Sequence, residues 1–382
     1  MKKTLLLFLT FTVYANFASA QWQQIGLDST YVGALTINGD TIFAGTTLNG
    51  VYISTNKGSS WTAINTGMPT TQIYVLAKSG SNIFVGTEDG IYLSTNNGDN
   101  WTAMNNGLPA NTEVYSIAIR DSNVFAGTYH NGIFLSTNNG QLWTSVDSGL
   151  IANDPVYKLA IDGNNIFAGT YDGLFLSSNN GSTWTNIGLT IGSVMSLAID
   201  GSNIFAGTLG GVYLSSNNGL LWSGVNTGMT NTIVHALAIN GNYIFVGTQD
   251  GVFFSNNNGQ LWYDLSTGLP NNLSVVSFAL SGDTLYAGAQ GVWKLPLLGV
   301  GIAEKNNENI ISVYPNPAIS NLTIETMQRS TIVISNLQGQ NLFQQQLLQG
   351  KTAIDIGILA KGIYILRLNS NNKTAVTKIV KE

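Results

Sequence analysis

The sequence predicts an all-β protein whose main domain is a seven-bladed β-propeller, followed by a small β-sandwich. Three observations lead to this prediction. Tryptophan recurs at intervals of 40, 42, 41, 38 and 40 residues, each one closing a similar octet, and four short β-type runs fill each interval. The repeated tryptophans are Trp61, Trp101, Trp143, Trp184, Trp222 and Trp262. A fixed period of this length with four short strands per unit is typical of a propeller blade.

The first 20 residues precede the repeats and read as a signal peptide. Lys2 and Lys3 form a basic start, residues 5–17 are mostly apolar, and Ala18-Ser19-Ala20 has the small residues that signal peptidase accepts. We expect cleavage before Gln21. A membrane anchor is the alternative, but neither this run nor any later one reaches the roughly 18–20 apolar residues that a membrane-spanning helix needs.

One repeat shows the pattern of all of them. Residues 114–119, 124–128, 133–137 and 143–146 are rich in β-branched and aromatic types and are bounded by Gly, Asn or Asp. They predict four antiparallel strands. The second and third are joined by pairs suited to a tight hairpin, of which the chain has Asn49-Gly50, Asp89-Gly90, Asn131-Gly132, Asp172-Gly173 and Asp250-Gly251.

The two ends of the repeat region complement each other. The first and second strands occur seven times, the last copies at residues 275–280 and 284–288, but the last repeat ends near residue 295 with no octet. Residues 22–25 match a fourth strand at the other end. We therefore predict that this N-terminal strand completes the last blade, which closes a seven-bladed ring over residues 21–297 and removes its exposed edges.

The octets carry a family resemblance. They read STNKGSSW, STNNGDNW, STNNGQLW, SSNNGSTW, SSNNGLLW and SNNNGQLW, and they resemble the Asp-box, or BNR, repeat S-x-D-x-G-x-x-W of sialidase-like propellers. Asparagine replaces the aspartate at Asn56, Asn96, Asn138, Asn179, Asn217 and Asn257. An Asn side chain can still bond the backbone two residues on and hold the turn. The resemblance implies that the octets are scaffold, on the face opposite the active site of the family, with each tryptophan packed between blades.

The composition changes after the repeats. Residues 298–309 read as a linker, and residues 310–382 have a non-repeating β pattern. This part contains Tyr314-Pro315-Asn316-Pro317, then Gly362-Ile363-Tyr364, and a basic end. The succession resembles the C-terminal sorting domain of type IX secretion cargo in Bacteroidetes. The resemblance implies an immunoglobulin-like β-sandwich, contact with the type IX machinery, and a secreted or cell-surface protein. An accessory β-domain that binds carbohydrate or packs on the propeller is the alternative.

Charge and residue usage exclude several classes of function. Residues 21–297 hold five Lys or Arg against fifteen Asp or Glu, so nucleic acid is an unsuitable partner. Cysteine is absent from the chain, so disulfides cannot stabilise it. Sialidases bind their substrate through three arginines, whereas this domain has only Arg120. With His130 and His235 as the only histidines and no calcium-loop pattern, we expect neither a metal nor a cofactor.

Variable residues at the start of the first strands mark a candidate binding face. Measured back from the glycine after each strand, one column reads Gly33, Tyr74, Tyr115, Tyr157, Met195, His235 and Val276. The hairpin loops of the same face add Tyr129, His130, Tyr171 and Glu88. Aromatic rings with polar tips around a concave mouth suit sugars or extended peptides. The alternative is that the tyrosines only fill space between blades.

The sequence therefore favours a non-catalytic protein that binds a neutral glycan or a protein through the face opposite the octets. A glycoside hydrolase or lyase that uses Glu88, Asp89, Asp172 or Asp250 is one alternative. However, the three aspartates each precede a hairpin glycine and are explained by turn geometry. A structural or adhesive surface protein is another alternative.

Overall fold

The computed structural model describes residues 21–69, 72–189, 192–297, 311–314, 318–326, 329–336, 340–370 and 373–381. The chain forms two compact units, Met1–Ala303 and Glu304–Glu382. The predicted signal peptide (residues 1–20), the predicted linker (298–309) and Pro315-Asn316-Pro317 of the sorting motif lie outside the described residues. Within the described part, no helix is long and apolar enough to cross a membrane.

The described part of the first unit consists of short antiparallel strands. They are β1 (Gln23–Gln24), β2 (Val32–Asn38), β3 (Thr41–Thr46), β4 (Val51–Ser54), β5 (Thr62–Ala63), β6 (Ile73–Ser79), β7 (Asn82–Thr87), β8 (Gly90–Ser94), β9 (Thr102–Ala103), β10 (Val114–Arg120), β11 (Asn123–Thr128), β12 (Ile133–Ser136), β13 (Thr144–Ser145), β14 (Val156–Asp162), β15 (Asn165–Thr170), β16 (Gly173–Ser177), β17 (Thr185–Asn186), β18 (Val194–Asp200), β19 (Asn203–Thr208), β20 (Gly211–Ser215), β21 (Ser223–Gly224), β22 (Val234–Asn240), β23 (Tyr243–Thr248), β24 (Gly251–Ser255), β25 (Tyr263–Asp264), β26 (Ser277–Ser281), β27 (Thr284–Ala289) and β28 (Gly291–Pro296).

These strands form four-stranded sheets that follow one another around a ring. Sheets 1 to 6 are β2–β5, β6–β9, β10–β13, β14–β17, β18–β21 and β22–β25, and sheet 7 has the order β1-β28-β27-β26. The first strand of each sheet contacts the first strand of the next, and β26 contacts both β22 and β2. The first strands therefore surround a central space.

The N-terminal strand joins the last sheet, as the sequence predicts. Gln23 pairs with Lys294 and Gln24 with Trp293 in the β1–β28 ladder. Further backbone bonds extend this joint, including Ile25 N to Val292 O (2.8 Å) and Trp22 N to Thr267 O (3.0 Å). Residues from both ends of the unit thus share one sheet.

Glycines in the second strands let the sheets pack closely. A Cβ atom on Gly127 would lie 2.6 Å from Val156 Cγ1, and one on Gly169 would lie 2.7 Å from the backbone oxygen of Val194. In each pair the valine belongs to the first strand of the following sheet. The repeated Ala-Gly-Thr or Val-Gly-Thr segment is therefore a packing requirement, because only glycine leaves room for the next sheet.

Each octet is a hydrogen-bonded turn between the third and fourth strands. In the third octet, Asn138 Oδ1 accepts bonds from the Ser136 hydroxyl (2.8 Å) and from the backbone N–H of Leu142 (3.0 Å). Gly140 N–H donates to Ser136 Oγ (2.9 Å). The side chain of this asparagine therefore bonds the backbone N–H four residues further on, whereas a bond two residues further on was expected. The reason is that the turn contains two more residues before the chain reverses.

Tryptophan side chains tie each sheet to the one before it. Trp143 Nε1 donates to Met104 O (2.7 Å), and the other five octet tryptophans make the same bond to the preceding sheet. Trp22 Nε1 donates to Leu265 O (2.7 Å) in the same manner, although no octet precedes it. The ring therefore has a seventh equivalent tryptophan at its joint.

The fourth strands are shorter than the sequence suggests. Only Thr144–Ser145 pairs as a strand where residues 143–146 were expected. The backbone N–H of Trp143 instead donates to Asn106 O, which follows β9 of the preceding sheet (2.9 Å). Trp143 is therefore not part of the β12–β13 ladder. Each outer edge in sheets 1 to 6 is consequently only two residues long, which limits edge-to-edge association.

The described part of the second unit has two sheets around one core. Its strands are β29 (Ile311–Tyr314), β30 (Asn321–Thr326), β31 (Ser330–Ser335), β32 (Asn341–Leu347), β33 (Gly350–Asp355), β34 (Gly362–Ser370) and β35 (Lys373–Lys381). They are arranged as β29-β30-β33 and β32-β31-β34-β35. Leu322 and Ile324 of the first sheet and Ile332 and Leu366 of the second belong to the same buried cluster. The Tyr364 hydroxyl donates to Ala360 O (2.8 Å) at the edge of this core.

Candidate functional site

A central cavity of about 190 Å³ lies inside the ring of the first unit. All seven residues of the variable column predicted from the sequence line it, namely Gly33, Tyr74, Tyr115, Tyr157, Met195, His235 and Val276. The structure therefore gathers around one cavity a set of residues that are about 40 positions apart in the chain.

A bulge in the first strand of each of sheets 1 to 6 explains the position of this column. In β10 the register with β11 shifts between Val114 and Ser116, so Tyr115 is the extra residue of the bulge. The same shift surrounds Gly33, Tyr74, Tyr157, Met195 and His235. A bulge leaves its extra residue outside the ladder and redirects its side chain. This position is therefore free to vary while the neighbouring core residues are not.

The aromatic residues form one continuous cluster on sheets 2 to 4. The ring centroids of Tyr74 and Tyr115 are 4.3 Å apart and stacked, and those of Tyr115 and Tyr129 are 5.1 Å apart and stacked. Tyr157 contacts Tyr115 edge-on at 6.3 Å, and His130 contacts Tyr129 edge-on at 4.4 Å. The rings thus support one another as a rigid aromatic wall along part of the cavity mouth.

Three hydroxyls of this wall, those of Tyr74, Tyr115 and Tyr157, remain protonated well above neutral pH. Burial, a hydrogen bond with Tyr74 and the charge of nearby Glu113 all raise the pKa of Tyr115 above its ordinary value. The Tyr115 hydroxyl donates to Glu113 Oε2 at 3.4 Å. Burial also raises the pKa of Tyr74 and Tyr157. These three tyrosines therefore offer neutral hydroxyls for hydrogen bonding.

The remaining predicted residues lie around this wall at different depths. His235 lines the cavity on sheet 6 and has no ring contact with the tyrosines among the described residues. Its pKa is lowered by burial, although a hydrogen bond with Gln249 partly offsets this. Tyr171 is exposed in its loop, and the charge of Glu88 acts on Tyr74. The cavity therefore has tyrosines on the side of sheets 2 to 4 and a partly buried histidine on the side of sheet 6.

The aspartates proposed as possible catalysts take part in hairpin turns. The backbone N–H groups of Asp89 and Asp250 donate to the hydroxyls of Thr87 (3.0 Å) and Thr248 (3.1 Å). The N–H of Asp172 donates to Asp154 Oδ2 at 3.4 Å. Such contacts agree with a role in turn geometry.

Two charged residues, one of them in the cavity lining, were not singled out from the sequence. Asp154 is buried, its Oδ1 atom has no hydrogen-bond partner, and burial raises its pKa. Lys158 lies one position after the variable column and lines the cavity. Comparing that next column across the repeats would have found it, because the other residues there are Ala34, Val75, Ser116, Ser196, Ala236 and Ser277.

No group of three or more His, Cys, Asp or Glu side chains able to hold a metal ion occurs in the described ranges.

Comparison with known proteins shows the family of the C-terminal part and a propeller-like fold. Residues 312–382 match the family of secretion system C-terminal sorting domains. Among curated proteins, no sequence matches the chain significantly. The chain is similar in structure to YCF48 from Cyanidioschyzon merolae, with 16% identity, a TM-score of 0.58, and coverage of 72% of this chain and 98% of that one.

Two further solved structures are similar. One is the extracellular domain of the putative hybrid two component system BT4673 from B. thetaiotaomicron, with 17% identity, a TM-score of 0.62, and coverage of 80% of this chain and 45% of that one. The other is an ancestral GH74 enzyme, with 14% identity, a TM-score of 0.54, and coverage of 94% and 63%. At these identities the similarities establish a propeller-like fold only.

The sorting domain also indicates where the protein is transported. The prediction of a type IX sorting domain from the Tyr-Pro-Asn-Pro start, the Gly-Ile-Tyr segment and the basic end is confirmed by the family match. The domain indicates type IX secretion, and hence a secreted or cell-surface protein that contacts the type IX machinery.

Proposed function

We propose that this protein is a secreted or cell-surface binding protein without catalytic activity, whose tyrosine-lined cavity mouth binds a glycan or an extended protein segment. The observation that supports this most strongly is the continuous aromatic wall of Tyr74, Tyr115, Tyr129 and Tyr157. Rings that already stack on one another lose little conformational entropy when a ligand packs against them.

The wider architecture of the proposal follows the sequence interpretation. The seven sheets are read as the blades of a closed propeller, the octets as Asp-box turns on its opposite face, and the C-terminal unit as immunoglobulin-like. Residues 1–20 are the signal peptide, residues 21–297 the propeller, 298–309 the linker and 310–382 the sorting domain. The octets serve as scaffold in this proposal, and the cavity mouth is the site.

A neutral polar ligand suits the mouth better than a strongly charged one. The tyrosine hydroxyls and the His130 and His235 imidazoles can donate and accept hydrogen bonds, and the ring faces can stack on a sugar ring or on a peptide bond. The domain as a whole is acidic, so polyanions are repelled at long range. A glycoside hydrolase or lyase that uses Glu88, Asp89, Asp172 or Asp250 is the alternative. It has less support because each of the three aspartates precedes a hairpin glycine with positive φ, as turn geometry requires.

A glycan array with the mature chain, residues 21–382, tests this function. We expect selective binding that falls at least tenfold in a Tyr115→Ala, Tyr157→Ala double variant. Tyr263→Ala, which removes an exposed ring on β25 far from the cavity lining, is the matched control and should bind like the wild type. Turnover of any glycan that binds would favour the hydrolase. Absence of glycan binding in folded protein would exclude a sugar ligand and favour a protein-binding or adhesive role.

A further inference from the structure

A second cavity, of about 440 Å³, lies beside the aromatic wall, between the β11–β12 hairpin and the loop that leads from sheet 3 to sheet 4. We call it the outer pocket. Its lining includes His130, Phe134, Asp147, Leu150, Ile151 and Ala152. His130 belongs to both features, because its ring also contacts Tyr129 edge-on at 4.4 Å. A ligand that packs on the wall can therefore continue directly into the outer pocket.

An exchanged residue in the repeat distinguishes sheet 3 at this place. Four residues after the octet tryptophan, sheets 1, 2 and 5 have Asn65, Asn105 and Asn226. Asn105 Oδ1 accepts a bond from Ile91 N–H (2.8 Å), and its Nδ2 donates to Asp89 O (3.0 Å). The asparagine thereby joins the loop after the fourth strand to the hairpin of its own sheet. Sheet 3 has Asp147 here, which has no amide group to donate.

A second exchange of the same asparagine also accompanies a cavity. On sheet 6 the equivalent residue is Ser266, and it lines a cavity of about 270 Å³ at the corresponding place. In both sheets a residue without the amide group is found beside an open pocket. The cavity of sheet 6 is separate from the aromatic wall, which belongs to sheets 2 to 4.

Asp147 carries a carboxylate that nothing in the described ranges neutralises. Its side chain is exposed, whereas the three equivalent asparagines are half-buried. Within the described part of the chain, its carboxylate oxygens have neither a hydrogen bond nor an ion pair. The loops that border the pocket are residues 109–113, 129–132 and 147–155. They contain Glu113, Asp147 and Asp154 but neither lysine nor arginine, so the pocket attracts positive charge.

Apolar side chains form the other side of the outer pocket. Ile151 is 49% exposed, and it stands where sheets 1, 2 and 6 have Pro69, Pro109 and Pro270. Phe134 lies beneath it in the same lining and is buried. An apolar surface beside a carboxylate suits a side chain with an aliphatic stem and a cationic tip, because the stem can pack while the tip reaches the charge. Lysine and arginine have this form.

Hydrogen bonds hold both walls of the pocket in place. Tyr129 N–H of the hairpin donates to Glu113 O of the preceding loop at 3.0 Å. Leu150 N–H donates to Asp147 O at 2.9 Å within the loop on the other side. A pocket that is already formed loses little conformational entropy when a ligand enters it.

We propose that the outer pocket binds one lysine or arginine side chain of an extended protein segment whose neighbouring residues pack on the aromatic wall. The Asp147 carboxylate pairs with the cation, and Ile151 packs on the aliphatic stem. This inference rests on the proposed binding function and selects its protein ligand, because a neutral glycan has no cation to pair with the carboxylate. The residues on the wall are uncharged, as the neutral tyrosine hydroxyls favour.

A positional-scanning library of N-acetylated hexapeptide amides, measured by fluorescence polarisation with the mature chain, tests the proposal. We expect one position of the peptide to prefer arginine or lysine over methionine by about three- to fivefold, as for a partly exposed ion pair. Asp147→Asn should abolish this preference and keep the preferences at the other positions. It should fold, because sheets 1, 2 and 5 have asparagine at this place. If it does not fold, Asp147→Ser, the residue of sheet 6, replaces it.

Asp121→Asn is the matched control. It removes one exposed negative charge from the β10–β11 turn of the same sheet, outside the outer pocket, and asparagine suits its positive φ. This variant should keep the preference for arginine or lysine. Ile151→Pro, which introduces the proline of sheets 1, 2 and 6, should weaken binding of the preferred peptides about twofold or more, since the stem loses its apolar contact.

The outcomes separate this inference from the proposed function. Peptide binding without a preference for arginine or lysine, or a preference that survives in the Asp147 variant, would overturn the inference and leave the binding function standing. Glycan binding on the array with no peptide bound would have the same meaning. If folded protein binds neither glycans nor peptides, the proposed function fails and this inference fails with it.

Discussion

At the scale of single residues, the octets show why asparagine can stand where related repeats have aspartate. The contacts that close the turn in all six octets use Asn Oδ1 as an acceptor, from the serine hydroxyl and from a backbone N–H. A carboxylate oxygen would accept the same two bonds. The next residue adopts a left-handed backbone, with φ of 55° at Asn139, and asparagine tolerates this conformation well. In an Asn-Asn pair, the first asparagine is therefore explained by its acceptor contacts and the second by its left-handed backbone.

This assignment predicts opposite outcomes for two substitutions at one position. Asn138→Asp keeps both acceptor contacts and should change the free energy of unfolding by less than about 1 kcal/mol. Asn138→Ala leaves Ser136 and Leu142 N–H without their partner and should cost about 1–3 kcal/mol. Chemical denaturation of the two variants beside the wild type measures both values. Equal destabilisation by Asp and Ala would contradict the acceptor role.

At the scale of strands and sheets, close approach across the sheet interfaces depends on the glycine of the second strand. Gly169 of β15 faces Val194 of β18 without a side chain between them. Each sheet therefore rests on the next through backbone and a valine, and the interface has no spare volume. Interiors packed this closely respond to a single added methyl group.

Gly169→Ala should accordingly destabilise the first unit by about 1–3 kcal/mol, because the new Cβ would overlap Val194. Gly210→Ala is the matched control, since its Cβ would meet no atom closer than 3.7 Å and its backbone needs no positive φ. That control should be neutral or gain up to about 1 kcal/mol. Thermal melting of both variants decides the matter. An unchanged melting midpoint for Gly169→Ala would show that the sheets can move apart without loss of stability.

The sequence predicts the elements better than the site, and particular residues show why. The period of the tryptophans determines the repeat, and the match of residues 22–25 to a fourth strand predicts the β1–β28 pairing. Lys158 is visible in the sequence as the one charged residue of its column, but the repeat pattern alone gives that column no functional meaning. Asp154 becomes notable only through its burial. That burial depends on packing between sheets, which a single sequence does not contain.

At the scale of the whole molecule, the ring of the first unit is held shut by its own N-terminus. Trp22 is buried and donates to Leu265 O, and β1 covers the edge of β28. Without this segment, β28 would present an unpaired edge beside the buried core residue Trp293. Exposed edges of this kind pair with other chains.

Removal of residues 21–26 should therefore lower the melting midpoint and produce oligomers at micromolar concentration. Light scattering after size-exclusion chromatography, together with thermal melting, tests this on chains that begin at Gln21 and at Leu27. Gln23→Ala, which truncates an exposed side chain of β1 and keeps its backbone bonds, should behave like the full chain. A monomeric truncated chain with an unchanged midpoint would show that the joint is dispensable.

The joint also determines how the molecule bears mechanical load. The chain leaves the ring through β28, which has β27 along one edge and β1 along the other. Tension applied through the C-terminal unit would thus enter at a strand held on both sides, and it would have to shear two ladders at once. If the protein were attached by its C-terminal end in flowing liquid, the force would act on β28, the strand that is paired along both of its edges.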